Sequence, residues 1–477
     1  MKKMNLLAMS LVSAAALSFS SCSSNDDLTG GGAGNQSKVE GFYMTLAVQT
    51  PTSNGTRTQQ QTEKVDATEA ESKVTSGTFY LVNAKGDIVF TKNITEAEWT
   101  NAAPVLTNTG KTQIQVPVQN VTEGETYKVY FLANTTDAKP WENTYTADKG
   151  FAGTYATDKK FAMFNQNDKN SQADQYTVKF TTANKEIKTP AQVTGTIKLD
   201  RVTARIDKPT SVTTINGVLD EGASELQKKA VDDAKDKVKE IKLTRYALTN
   251  LSNMTNIMQK WDAAWASLQI PTGTTYMQKA KDLGGKYNIT NADWFTDAAQ
   301  NYVFENTATT PTTMYFEYTV TLDGTKFTDT PDCTDGTFYR YNGNIYRSID
   351  AIYAAYKDQP VLFGGKTAEA LKAELKITAD GKIGATEEEL AKFREDNVIE
   401  VFRAGKTYYS QVITDNWLGT YTIQRNTVYR LNVKKIFNVG ADVPNGEPDE
   451  NKPMYYLDVE VSVNPWVLST QDVELGD

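Results

Sequence analysis

The sequence predicts a mainly β protein, and three observations carry that prediction. Tyrosine is the most abundant aromatic, with 24 in 477 residues, beside a high content of threonine, and both residue types favour strands. Runs of strict apolar–polar alternation recur, as at 42–48, 112–118 and 457–463, which is the period of a half-buried strand. Turn residues such as Asn-Ala-Lys-Gly-Asp at 83–87 separate the runs. Short strands at this spacing suggest an antiparallel sandwich or barrel.

The first 57 residues read as a set of processing signals. Lys2 and Lys3 precede an apolar run, Leu6 to Phe19, of signal-peptide length and too short to span a bilayer. Ser20 and Ser21 then precede Cys22, the order found where a lipoprotein signal peptide ends. The expectation is a signal peptide over 1–21, a lipid on Cys22 and a lipidated pro-segment over 22–57. Residues 23–40 are polar and glycine-rich, a flexible tether. Asp26 and Asp27 resemble an acidic surface-export signal.

A strand is predicted over 41–49, with Phe42, Met44, Leu46 and Val48 on one face and Tyr43, Thr45, Ala47 and Gln49 on the other. Pro51 to Gly55 is turn chemistry, and Thr56 to Glu71 is polar, expected to be open to proteases. A lone arginine in a polar loop is usually only solvated. Arg57, however, lies between a detachable strand and the remaining chain, so it is the expected processing site, with Thr58 as the new first residue.

Strands are predicted at Val74 to Val82, Ile88 to Thr91, Thr112 to Val118, Thr126 to Ala133, Tyr176 to Thr182 and Val193 to Leu199. Helices are fewer. Asp220 to Glu240 carries a stripe at Leu226, Ala230, Ala234 and Val238. Ser348 to Tyr356, Ala368 to Leu375 and Glu387 to Glu395 are shorter candidates. A boundary near residue 195 divides the body into 58–195 and 196–477. In the last strand Leu457, Val459, Val461 and Val463 face one way and Asp458, Glu460 and Ser462 the other. Pro465 lacks a ladder donor, so the strand is expected to bend or leave its sheet at Pro465-Trp466.

Composition narrows the chemistry. There is no histidine, which removes the usual general base and the commonest metal ligand. Cys22 and Cys333 are the only cysteines, too few for a disulfide framework or a cysteine-ligated zinc site. A net charge of −9 without a basic stripe argues against nucleic acid. No phosphate loop, nucleophile elbow or metal-ligand spacing is present, so no catalytic residue, metal or cofactor is assigned. Thr378 to Glu387 only faintly echoes a calcium loop, lacking its early acids. The aromatic groups Phe338-Tyr339-Arg340-Tyr341, Tyr408-Tyr409 and Tyr455-Tyr456 could stack glycans or pack across strands; packing is the commoner use.

Several segments together resemble the fimbrillin family, the structural subunits of type V pili, and within it the Mfa-like, minor-fimbrium branch. They are the cysteine box at Cys22, GFYMTLAVQTPTSNGTR ending at Arg57, ESKV at 71–74, YKVYFLAN at 127–134 and LDRVTARID at 199–207. YVFENTA at 302–308, DGTFYRYNGNIY at 335–346 and the terminal YYLDVEVSVNPWVLSTQDVEL at 455–475 complete the set. Segments 257–300 and 347–397 match no part of the pattern. The resemblance implies two transthyretin-like β-sandwich domains and export to the outer membrane as a lipoprotein. It also implies cutting by an arginine-specific protease after Arg57, then filling of the vacated groove by the C-terminal segment of another copy. Trp466, Leu468, Val473 and Leu475 are the expected donor residues within 455–475. The partners implied are further copies head-to-tail, and anchor and tip subunits. The alternatives are an anchor or tip subunit, or a monomeric surface lipoprotein that binds glycans.

Overall fold

The computed structural model describes residues 41–50, 65–104, 111–158, 160–277, 294, 298–359, 361–415 and 418–444, and the backbone of 457–468. The chain is mainly β, as its alternation requires. In the first half the strands are β1 (Phe42–Gln49), β2 (Val65–Ala67), β3 (Gly77–Val82), β4 (Ile88–Ile94), β5 (Ala103–Pro104), β6 (Lys111–Val118) and β7 (Thr126–Ala133). Met163–Asn165, Thr177–Lys179 and Ala191–Arg201 follow.

All of these except β2 form one connected array. Its order is β4, β3, β7, Met163–Asn165, Ala191–Arg201, β1, β6, β5, with Thr177–Lys179 also on β7. Ala191–Arg201 turns the corner. Its first residues pair with β1, and Leu199 to Arg201 pair with Met163–Asn165. Gly195, at φ +79°, lies inside the β1-paired stretch, which runs on to Lys198, at the point where that ladder shifts register. A glycine bulge of this kind bends a strand and lets it serve two sheets. The two arms therefore face one another as a sandwich. Between them lies a core that includes Leu46, Phe79, Leu81, Ile114, Phe131 and Ile197, all buried.

The chain passes to a second core after Leu199. Ala204–Asp207 pairs with Thr427–Ile436, and that strand pairs with the C-terminal strand, Leu457–Leu468. Val238–Thr249, Thr313–Leu322 and Lys406–Val412 make a separate three-stranded sheet, and Ile241, Leu248, Phe316, Tyr429 and Leu431 pack in the core they share. Between Thr313–Leu322 and Lys406–Val412, which are antiparallel neighbours, residues 323–405 form an inserted lobe with its own core. Helices Ile349–Ala355, Ala368–Leu375 and Glu387–Asn397 pack there on a small sheet through Ile352, Leu371, Leu375, Leu390 and Val401. This lobe accounts for the segment 347–397 that matched nothing in the family pattern. Among the described residues no helix is long and apolar enough to cross a membrane.

One local expectation changes. The helix predicted over Asp220 to Glu240 spans Glu225–Lys237, capped by Ser224, whose hydroxyl accepts from Gln227 N–H. Val238 begins a twelve-residue strand instead of closing the helical stripe, and Leu226 is exposed. The β-branched residues Val238 and Ile241 pair with the strand Thr313–Leu322, and that tertiary ladder outweighs the helical spacing. Of the aromatic groups, Phe338, Tyr339 and Tyr409 are taken up in packing, Tyr341 and Tyr408 are half-buried, and Tyr455 and Tyr456 lie outside the described residues. Phe338 and Tyr339 are fully buried, the Phe338 ring stacks on Phe402 at 4.5 Å, and Tyr409 is buried against Tyr318. Cys333 is buried too, and burial, with Asp335 and Asp332 nearby, pushes its thiol up to about 11, so it is a poor nucleophile.

Candidate functional site: the seat of the first strand

β1 is an inner strand of its sheet. On one side it runs antiparallel to β6 over its whole length, from Phe42 opposite Val118 to Gln49 opposite Lys111. On the other it runs parallel to Ala191–Arg201, with Met44 opposite Ala191 and Val48 opposite Ile197. The alternation that predicted the strand sets its faces: Phe42, Met44, Leu46 and Val48 are all buried, the last three completely. Thr45, on the other face, is buried as well. The Phe42 ring meets Phe180 at 5.3 Å, Phe180 meets Tyr127 at 6.0 Å, and Lys185 Nζ lies 5.4 Å from the centre of the Phe42 ring. Phe180, Tyr127 and Lys185 were not singled out from the sequence. Tyr127 and Phe180 fall in the strands predicted at Thr126 to Ala133 and Tyr176 to Thr182, but no local pattern records that Phe180 packs on Phe42 and Tyr127 on Phe180.

Cys22, Arg57, Thr58, Val473 and Leu475 lie outside the described residues. From Val65 onward the expectation of an open polar stretch to Glu71 is corrected. Val65 and Ala67 are buried in the first core, and β2 pairs in parallel with Trp466 to Leu468 of the C-terminal strand. Helix α1 (Glu69–Ser72) follows directly.

Glu71 is 1% exposed. Its carboxylate accepts from the Tyr302 hydroxyl at 2.7 Å, the Thr68 backbone N–H at 2.8 Å and Arg205 Nη1 at 3.1 Å. Arg201 Nε donates to the Glu71 carbonyl at 2.7 Å, and Arg201 Nη1 to Asn426 Oδ1 at 2.9 Å. Asp207 bridges Arg205 at 2.6 Å and Arg430 at 2.8 Å. A polar stretch is buried here because each charge finds a partner from a distant element, which local sequence does not reveal.

Burial alone would raise the Glu71 carboxyl. The Tyr302 hydroxyl, the Thr68 N–H and the Arg205 and Arg201 guanidinium groups outweigh it and hold the group below the ordinary carboxylate value. A lowered folded value contributes stability above the unfolded value, and that contribution is lost as pH falls through the folded one. Glu71→Gln is therefore expected to cost about 2–3 kcal/mol at neutral pH. In urea denaturation the variant and the parent are expected to converge only as pH falls below the ordinary carboxylate value and through the lowered folded one. A gap that stays constant across the whole acid range in which carboxylates titrate would contradict an ionised Glu71.

The C-terminal strand corrects a further expectation. It does not leave its sheet at Pro465 but continues through it to Leu468. Residues Leu457 to Pro465 pair with Ile436 to Thr427, and from Trp466 the partner becomes β2. Pro465 forms the last rung, so its missing donor falls where the strand changes partners. The expected donor residues Trp466 and Leu468 thus lie on the backbone segment paired with β2.

The fold and this site define a β protein whose first strand is seated between two others; among the described residues no cluster of His, Cys, Asp and Glu could hold a metal ion. The model of the major fimbrial subunit protein (FimA) matches residues 43–245, and that of the C-terminal region of the type IV major fimbrial subunit protein, fimbrillin, matches 400–472. The chain belongs to the fimbrillin family of fimbrial subunits and cell-adhesion proteins, the family its segments resemble. Membership implies a place in cell-surface fimbriae. No curated protein matches it.

Similar solved structures include a putative cell adhesion protein from Parabacteroides distasonis, 14% identical, covering 90% of this chain and 99% of that one at a TM-score of 0.43. A fimbrilin (fimA) from Porphyromonas gingivalis is 14% identical, covering 90% and 98% at 0.42. The fimbrial anchor protein Mfa2 from Porphyromonas gingivalis is 9% identical, covering 90% and 99% at 0.27.

Proposed function

We propose that this chain is a stalk subunit of a cell-surface fimbrium of the minor-fimbrium type. It is exported as a lipoprotein through Cys22, cut after Arg57 by an arginine-specific protease, and polymerised by donor-strand exchange. The observation that carries this reading is the seat of β1, an N-terminal strand paired along both edges inside the first sandwich. Its link to the folded body runs through 51–64, the stretch that holds Arg57.

The energetics suit a proteolytic trigger. Burial of Phe42, Met44, Leu46 and Val48 stabilises the seated strand by at most roughly 6–12 kcal/mol, at ~1.5–3 kcal/mol per side chain. That matches a typical domain stability of ~5–15 kcal/mol, so spontaneous exchange would be slow while the strand remains attached. Once β1 leaves, β6 and Ala191–Arg201 each present an unpaired edge beside an apolar groove, the template for strand addition. A donor from a second copy makes a head-to-tail contact that extends as a filament and does not close. Here the C-terminal strand is paired within its own chain, so it must give up β2 or the strand Thr427–Ile436 before it can serve as donor.

Treatment of the purified chain with an arginine-specific protease is expected to give a new N-terminus at Thr58 and an SDS-resistant ladder. Arg57→Ala is expected to abolish both. A ladder from Arg57→Ala equal to that of the parent would sink the mechanism. A chain that resists cutting and keeps β1 would instead fit an anchor subunit, and one that is cut but builds no ladder would fit a tip.

A further inference from the structure

Away from the first strand, three loops surround a cleft of about 420 Å³, within the roughly 300–1,000 Å³ usual for small-molecule sites. The walls come from 266–270 with Tyr276, from 307–309, and from 418–422. Its chemistry departs from that of the chain. Nearly a quarter of all residues are charged, at 23%, yet none of the twelve lining residues is. Four are threonines, joined by Ser267, Gln269 and Tyr276.

Each wall is also fixed in place. Asp262 Oδ1 accepts from Ala266 N–H at 2.8 Å. Asn306, fully buried, accepts from Thr307 N–H at 2.7 Å and donates to the Thr310 carbonyl at 2.9 Å. Asp415, also fully buried, accepts from Leu418 N–H at 3.1 Å, from Gln424 Nε2 at 3.1 Å and from the Tyr429 hydroxyl at 3.0 Å. Both aspartates direct their charge into their own loops; the Thr420 and Thr422 hydroxyls bond each other at 2.9 Å and Ser267 bonds Asp262, and the remaining polar lining comes from Thr307, Thr309, Gln269 and Tyr276. Loops held in this way lose little further freedom when a ligand enters.

We infer that this cleft binds a neutral sugar. Hydroxyl and amide groups that both donate and accept match the alternating hydroxyls of a pyranose, and an aromatic ring offers a face for its apolar C–H side. An anionic sugar or a phosphate would enter with no cation among the lining residues to compensate it. The site lies apart from the β1 seat and does not depend on cutting at Arg57.

The test uses the full uncut chain and saturation-transfer NMR with galactose, mannose, N-acetylglucosamine and 3′-sialyllactose at millimolar concentration. At least one neutral sugar is expected to give a saturable signal. Tyr276→Ala combined with Thr309→Val is expected to weaken it about tenfold or more, with an unchanged circular dichroism spectrum. The inference is overturned by silence from all three neutral sugars, by an undiminished signal in the folded double variant, or by a preference for the sialylated sugar. Should the double variant misfold, Gln269→Leu, at an exposed position, replaces it, with the same outcomes deciding.

Discussion

Leu46→Asp is expected to free β1 while much of the first sandwich stays folded. Leu46 is completely buried between β6 and the strand Ala191–Arg201. Losing its burial costs ~2–3 kcal/mol, and an unpaired carboxylate in the same place adds at least a further ~2 kcal/mol. The total is comparable with the lower end of domain stability. Hydrogen exchange reads the result by segment. Backbone groups of β6 and of Ala191 to Lys198 that pair with β1 are expected to exchange quickly. Those of β3 and β7, which pair with each other, keep their protection. Leu46→Met, a swap of similar volume, is expected to behave like the parent. Exchange in the aspartate variant that matches the parent along β6 would mean that β1 contributes nothing to its seat.

Glu305→Gln is the second substitution with a large expected effect. Glu305 and Arg425 are each 2% exposed and meet at 2.7 Å. Arg425 also donates to the Ile257 carbonyl at 2.7 Å and the Thr255 hydroxyl at 3.2 Å, and Gln259 Nε2 donates to Glu305 at 2.6 Å. The pair ties the 255–259 segment to the loop entering Thr427–Ile436. Glutamine keeps the shape but removes the charge, leaving the guanidinium buried without its counter-ion, a loss of about 3–5 kcal/mol. Urea denaturation measures it. A change below about 1 kcal/mol, the value of an exposed pair, would show that water reaches this site.

The sequence revealed the faces of the strands better than their neighbours. The inward set of β1 followed from period-two alternation alone. Its place inside the sheet did not, because one flank comes from Ala191–Arg201, some 150 positions away, and no local pattern records a partner. Val238 went to a strand because its ladder with Thr313–Leu322 forms only in the folded chain. Glu71 read as one acid in a solvated stretch, since Arg205, Arg201 and Tyr302 arrive from later elements. Pro465 was identified correctly as a missing donor. What could not be foreseen was a second strand, β2, ready to take over where the first ladder ends.

That handover bears on biosynthesis. Val65 pairs with Trp466, so two of the most distant parts of the body close a single ladder. At ~5–20 residues per second, roughly 20–80 s of translation separate the two. Until residues 457–468 emerge, β2 waits without its partner, and one edge of the strand Thr427–Ile436 stays open while the other pairs with Ala204–Asp207. Contacts this remote also make refolding slow once the chain is complete. A nascent chain is thereby kept from finishing this sheet until residues 457–468 have been made.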